Sequence, residues 1–262
     1  MTTRHAAVSN MFYPGDPRML RGDIHSYIAE VNPDSSTPKA IICPHAGYIY
    51  SGPTAAYAYA QLQHAKYAIK RVVLLGPCHR VAVRGLAAPS VDYFETPLGR
   101  IQIDKAAIEG LLDLSQVQVS DLAHEYEHSL EVQLPFLQEV LDDFTLIPLV
   151  VGDTTTQEVS EVIDQLWGGD ETLIVISSDL SHFHDYETAR IIDSKTCAAI
   201  ESLDIKAIAH ESACGRNPVN GLLASAKKRN MKVTTLDIRN SGDTAGTKDR
   251  VVGYGAWMFE ET

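Results

Sequence analysis

The chain has 262 residues, 45% of them hydrophobic, a formal net charge of -12 and four cysteines. That is enough to bury a full core, and no linker or repeat divides the chain, so residues 1–262 read as a single domain. The acidity opposes the phosphates of nucleic acid and of anionic membranes, and neither is expected as a partner.

The opening MTTRHAAVSN has neither a secretory apolar stretch nor Arg-rich transit character, and no run of about 18 apolar residues occurs. A cytoplasmic protein is therefore expected. In that reducing setting Cys43, Cys78, Cys197 and Cys214 read as free thiols or ligands rather than disulfides.

In chain order, Asp16-Pro17 pairs a cap with a first-turn proline and predicts a helix to about Val31. The apolar run Ala40 to Cys43 predicts a buried parallel-type strand, and it ends in Pro44-His45-Ala46-Gly47-Tyr48. Ser51-Gly52-Pro53 predicts a helix from Thr54 to Gln63, and a second strand, Arg71 to Leu75, ends in Gly76-Pro77-Cys78-His79.

The stretch LAHEYEHSLE, residues 122 to 131, fits both the HExxH and the HxxEH signatures of zinc proteases. Both need two histidines on one helix face. The apolar spacing of Leu130, Leu134 and Leu137 starts only afterwards, so the helix is predicted from about His128, with Ser120-Asp121 as loop and His124 as an exposed loop residue. A peptidase is therefore disfavoured. Glu127 and Glu131 beside His128 read either as helix caps or, with that histidine, as part of a pocket.

Further along, strands are predicted at Phe144 to Val151 and Thr172 to Ile176, with a helix over Glu158 to Leu166 between them. The first strand leads into Gly152-Asp153, the second into Ser177-Ser178-Asp179 with His182 and His184 close behind. A helix over Tyr186 to Glu201 places Cys197 in the core, Asn217-Pro218 opens a helix to about Arg229, and strands at Lys232 to Ile238 and Arg250 to Phe259 close the chain. Repeated βα units predict a layered α/β domain, with a central mostly parallel or mixed sheet flanked by helices.

In such sheets ligands bind beyond the carboxyl ends of the strands, where this sequence places His45, His79, Asp179 and His182. Two histidines at equivalent strand ends suit a shared divalent metal that still needs an anionic donor. Cys214 can supply it, because a helix start and Arg216 are expected to lower its pKa. Asp179 and His182 are expected to orient an imidazole and to move protons. No GxSxG elbow accompanies Ser177 and Ser178, so a serine hydrolase is disfavoured.

Together with "FYPGDPRMLRGDI", "PHAGYIYSGPTAAYAY", "VVLLGPCHRV", "EHSLEVQLPFL", "ISSDLSHFHDY" and "CGRNPVNGLL", these residues make the chain resemble the Memo family, labelled in bacteria and archaea AmmeMemoRadiSam system protein B. The resemblance implies a fold like that of class III extradiol ring-cleaving dioxygenases, with His45, His79 and Cys214 as ligands of a divalent metal. Iron is favoured, with copper or zinc as rivals. It further implies His128, His182 and Asp179 as catalytic groups, Tyr48, Cys78 and Arg216 as pocket residues, and association with radical-SAM and AMMECR-type proteins. A thiolate in place of the dioxygenase carboxylate alters the chemistry. Alternatives are a binding module for a phosphopeptide or small acid, and a zinc-dependent hydrolase. Cys43 and Cys78, next to the two histidine turns, could crowd the site or oxidise.

Overall fold

The computed structural model describes residues 1–33 and 36–262, apart from the His210 side chain. In chain order it contains β1 (Thr3–Arg4), α1 (Pro17–Ala29), β2 (Ala40–Cys43), α2 (Tyr48–Ala60), β3 (Arg71–Pro77), β4 (Leu86–Ala88), β5 (Tyr93–Thr96), β6 (Gly99–Ile103), α3 (Lys105–Leu111) and β7 (Val117–Val119). There follow α4 (Asp121–Glu125), α5 (Leu134–Val140), β8 (Thr145–Val151), α6 (Thr156–Gln165), β9 (Thr172–Ser177), β10 (His182–His184), α7 (Tyr186–Glu201), α8 (Arg216–Lys228), β11 (Lys232–Asn240) and β12 (Val251–Glu260).

The sheet is mixed and runs β1-β5-β6-β8-β3-β9-β2-β12-β10. Its centre is the parallel set β8, β3, β9 and β2, whose side chains are almost all buried apolar groups, as expected of strands covered on both faces. The register pairs Pro77 with Val151, Leu75 with Ile176, and Cys43 with Ser177. The carboxyl ends of these strands therefore share one edge of the sheet, the expected place for a ligand.

Local chemistry accounts for the helices. The Asp16 carboxylate accepts from the Arg18 and Met19 amides with Pro17 behind it, and Leu20, Ile24 and Ile28 form the buried stripe of α1. Thr155 and Glu158 make a reciprocal capping box at α6. Helix α2 departs from expectation: it begins at Tyr48, and Pro53 lies inside it. That proline costs one intrahelical bond, to the Ile49 carbonyl, while the apolar residues before it gain burial. The early start puts Tyr48 in the core, 2% exposed, with its hydroxyl donating to the Val132 carbonyl at 2.8 Å. Helix α8 likewise starts at Arg216, capped by Gly215, ahead of the expected Asn217-Pro218.

Residues 120–131 also differ from expectation. Ser120 stands at the start of the short helix α4 without a side-chain capping bond, the helix ends before Tyr126, and a single 3-10 turn over Glu131–Gln133 leads into α5. His124 is helical and 2% exposed, not an exposed loop residue. None of the helices among the described residues is long and apolar enough to cross a membrane.

Candidate metal centre at the strand ends

Three parallel strands deliver three turns to one place: β2 ends in Pro44-His45, β3 in Cys78-His79, and β9 in Ser178-Asp179. The 127–130 segment lies across the end of β3. A Cβ at Gly76 would meet Ser129 and Leu130 at 2.9 Å, so glycine there permits the close approach. In the same way a Cβ at Gly215 would meet Ser178 at 2.6 Å, and its absence lets the turn carrying Cys214 settle onto the end of β9.

The result is a cluster of imidazoles. His45, His79 and His128 each offer a ring nitrogen within 4.8 Å of the others, a group that could hold a metal ion. The His79 and His128 rings stack at 4.7 Å, and His45 meets both edge-on at 5.3 and 5.5 Å.

Hydrogen bonds decide which nitrogens point inward. Ser177 Oγ donates its one proton to the Ser129 carbonyl at 2.6 Å, so toward the Gln133 amide and His45 Nδ1, both at 2.8 Å, it can only accept. His45 Nδ1 therefore carries the proton and its Nε2 keeps the lone pair. For His79, Nδ1 donates to Glu127 Oε1 at 2.9 Å, again leaving Nε2 free. The same carboxylate accepts from the backbone amides of His79, His128 and Ser129. Burial pushes Glu127 up, but these bonds more than offset it and hold the carboxyl at about 2. His128 Nδ1 is buried without a hydrogen-bond partner, 3.3 Å from Glu127 Oε1, and Phe12 packs on its ring at 4.8 Å.

Electrostatics favour the neutral form of His45 and His128. Burial, reinforced by His79 and His128, holds His45 well below the usual imidazole range, and burial lowers His128 as well. Neutral imidazole is the metal-binding form.

Cys214 adjoins this cluster, with Sγ 3.3 Å from His45 Nε2 and accepting the Asp179 amide at 3.3 Å. Burial and the neighbouring Asp179 carboxylate raise its thiol rather than lowering it, contrary to expectation, because these outweigh the helix start and the nearby guanidinium. Among the described residues Asp179 does not hydrogen-bond an imidazole: its Oδ1 accepts the His45 backbone amide at 2.7 Å while Oδ2 stands 4.0 Å from His45 Nε2. Ser177 orients that ring instead. His182 donates Nδ1–H to the Leu180 carbonyl at 2.8 Å, and its ring contact is with Phe183 rather than with the three clustered rings.

The remaining cysteines separate. Cys43 lies in the core beside Tyr59, its sulfur 3.2 Å from Gln133 Oε1, and burial pushes its thiol up to about 12. Cys197 is half-buried, 3.3 Å from Thr235 Oγ1, rather than fully in the core. Cys78 and Arg216 line a cavity of about 350 Å³ together with Cys214, whereas Tyr48 contributes to the core. Ser177, Gln133 and the multiple bonds of Glu127 were not anticipated. They lack a sequence signal because the partners that tie them to the two histidine turns lie about 44 to 132 residues away.

A Memo-like protein family profile matches residues 4–258. A MEMO1 family protein of Methanosarcina mazei is 36% identical over 276 residues, covering 99% of this chain and all of that protein. A MEMO1 family protein of Aquifex aeolicus is 36% identical over 270 residues, with 99% and 100% covered. Among solved structures, an uncharacterized protein of Escherichia coli K12 aligns with a TM-score of 0.57 at 13% identity, over 84% of this chain and 99% of that one, a likeness of fold alone.

Proposed function

The chain belongs to the Memo-like protein family, and from that premise we propose that it is a metal-dependent oxidoreductase related to the extradiol dioxygenases, with His45 and His79 as imidazole ligands and Cys214 as the anionic donor. The observation that carries this reading is the pair of inward-facing lone pairs on His45 and His79, each fixed by a hydrogen bond on the opposite nitrogen, with the Cys214 sulfur 3.3 Å from one of them. That donor set fits a borderline or soft divalent ion. Iron is favoured over copper and zinc, and a bound redox-active ion would supply electron exchange with an organic substrate.

The chain's own residues do the rest. Ser177 and Glu127 hold the rings, and the shell of buried side chains around Gln133 excludes water from one side. His128, the member of the cluster with an unpartnered buried nitrogen, is the group placed to take or give a proton, with His182 outside the three clustered rings as the other candidate.

Metal analysis after anaerobic purification tests this. His45→Ala and Cys214→Ser are expected to lose most bound metal while remaining folded, and His128→Ala to keep it. Full metal in the first two variants would sink the ligand assignment; loss in His45→Ala and His128→Ala but not in Cys214→Ser would move the third ligand from Cys214 to His128.

A further inference from the structure

The cavity beside Cys214 is lined by Cys78, Val81, Val83, Gly152, Asp153, Arg216 and Asn217 and holds about 350 Å³, room for a small organic molecule. Arg216 is the cation in its wall. Its Nη2 donates to Asn217 Oδ1 at 3.2 Å, its Nε is buried without a partner, and among the described residues no carboxylate lies within ion-pair distance of it. In a chain with 34 acidic and 22 basic residues, a half-buried guanidinium left without a counter-charge beside a cavity calls for an anion from outside.

We propose that the substrate is a small monocarboxylic acid whose carboxylate is anchored by Arg216, with the rest of the molecule lying along the wall between Cys78 and Cys214. The proposal rests on the oxidoreductase reading for the role of that acid, but the anchor itself depends only on the cavity and the guanidinium. Charge balance argues for a monoanion. The Asp153 carboxylate in the same wall repels any anion held by Arg216, and a phosphate dianion about twice as strongly as a monoanion, so the smaller charge is favoured. Geometry agrees, since the planar fork of arginine matches the two oxygens of a carboxylate. Val81 and Val83 give a small apolar side to a lining that is otherwise mostly polar, which suits an acid with a short hydrocarbon body.

Benzoate and inorganic phosphate are the probes, titrated calorimetrically into the full chain as purified and again after chelation of metal. Benzoate is expected to bind more tightly than phosphate, and to bind Arg216→Gln at least tenfold more weakly, with Arg216→Lys in between and with metal content unchanged in both variants. Benzoate affinity unaltered in Arg216→Gln, no benzoate binding to the parent chain, or a preference for phosphate would each overturn the proposal. Benzoate binding that survives Arg216→Gln but vanishes on chelation would also overturn it, by assigning the anion to the metal. Failure of the metal reading leaves a different pattern: no metal at His45, yet an Arg216-dependent benzoate site in the chelated protein.

Discussion

His124 and His128 stand four residues apart in one short stretch and occupy contrasting settings. His124 lies on α4, 2% exposed, its Nε2 donating to the Ala87 carbonyl at 2.9 Å and its ring edge-on to Phe94 at 5.6 Å. Burial pulls its pKa down to about 4, so it is a neutral side chain of the core. His128 lies past the break at Tyr126, stacked on His79 in the candidate metal centre. The contrast shows that spacing alone does not make a zinc-protease site: the helix ends at Glu125, so the two rings never share a face. The backbone turn between them has a second effect, since it is what directs Glu127 inward to hold His79.

Arg4 ties both settings together, and removing it should break the contrast most severely. Its Nε donates to the His124 carbonyl at 2.9 Å, its Nη2 to the Glu127 carbonyl at 2.7 Å, and its Nη1 to the buried Glu131 carboxylate. Arg4→Met leaves Glu131 charged and short of its cation, and is expected to cost about 3–5 kcal/mol in urea unfolding. The ring signals of both His124 and His128 should shift in NMR spectra; a shift confined to one would show that Arg4 does not couple them.

Acid should act on His124 in the core. The folded pKa of His124 is near 4 against an ordinary 6.5, so the unfolded chain takes up its proton first on acidification. The stabilisation from a neutral His124 is thus complete above about pH 6.5 and lost as pH falls through 4, a change of roughly 3 kcal/mol. His124→Gln keeps an N–H for Ala87 without titrating. Relative to that variant the parent chain should lose roughly 3 kcal/mol between pH 7 and 4, and parallel stability curves would contradict the assignment.

The smallest expected effect sharpens the contrast from the other side. Glu127→Gln preserves shape but removes the charge that receives His79 Nδ1–H and three backbone amides, for a loss of about 2 kcal/mol. The His79 and His128 ring signals should move while that of His124 stays put. Movement of all three would mean that the 120–131 stretch behaves as one unit.

Much of the architecture was legible in the sequence because buried parallel strands are continuous apolar runs and helix caps are local. The strands ending before His45, His79 and Asp179, the Asp16-Pro17 cap and helix α7 all stand as expected from such signals. Segments whose stability comes from distant partners were harder to read. The β4–β7 pair, the β5–β6 hairpin and α4 carry weak periodicity, and Tyr48 extends α2 upstream of a proline because the core rewards its burial. The site follows the same division. His45 and His79 follow from position alone, whereas the Ser177 contact, the Glu127 bonds and the raised Cys214 thiol depend on what lies opposite in space.

The sequence by itself determined the strand ends and the residue types they deliver, because hydrophobic runs and turn residues act within a few positions. Only the tertiary structure decided which nitrogen of each histidine faces inward, that His124 is buried in the core, and that the Cys214 thiol is raised where it meets His45. Those outcomes rest on hydrogen-bond directions and desolvation, which exist only once groups about 48 to 169 residues apart are packed together.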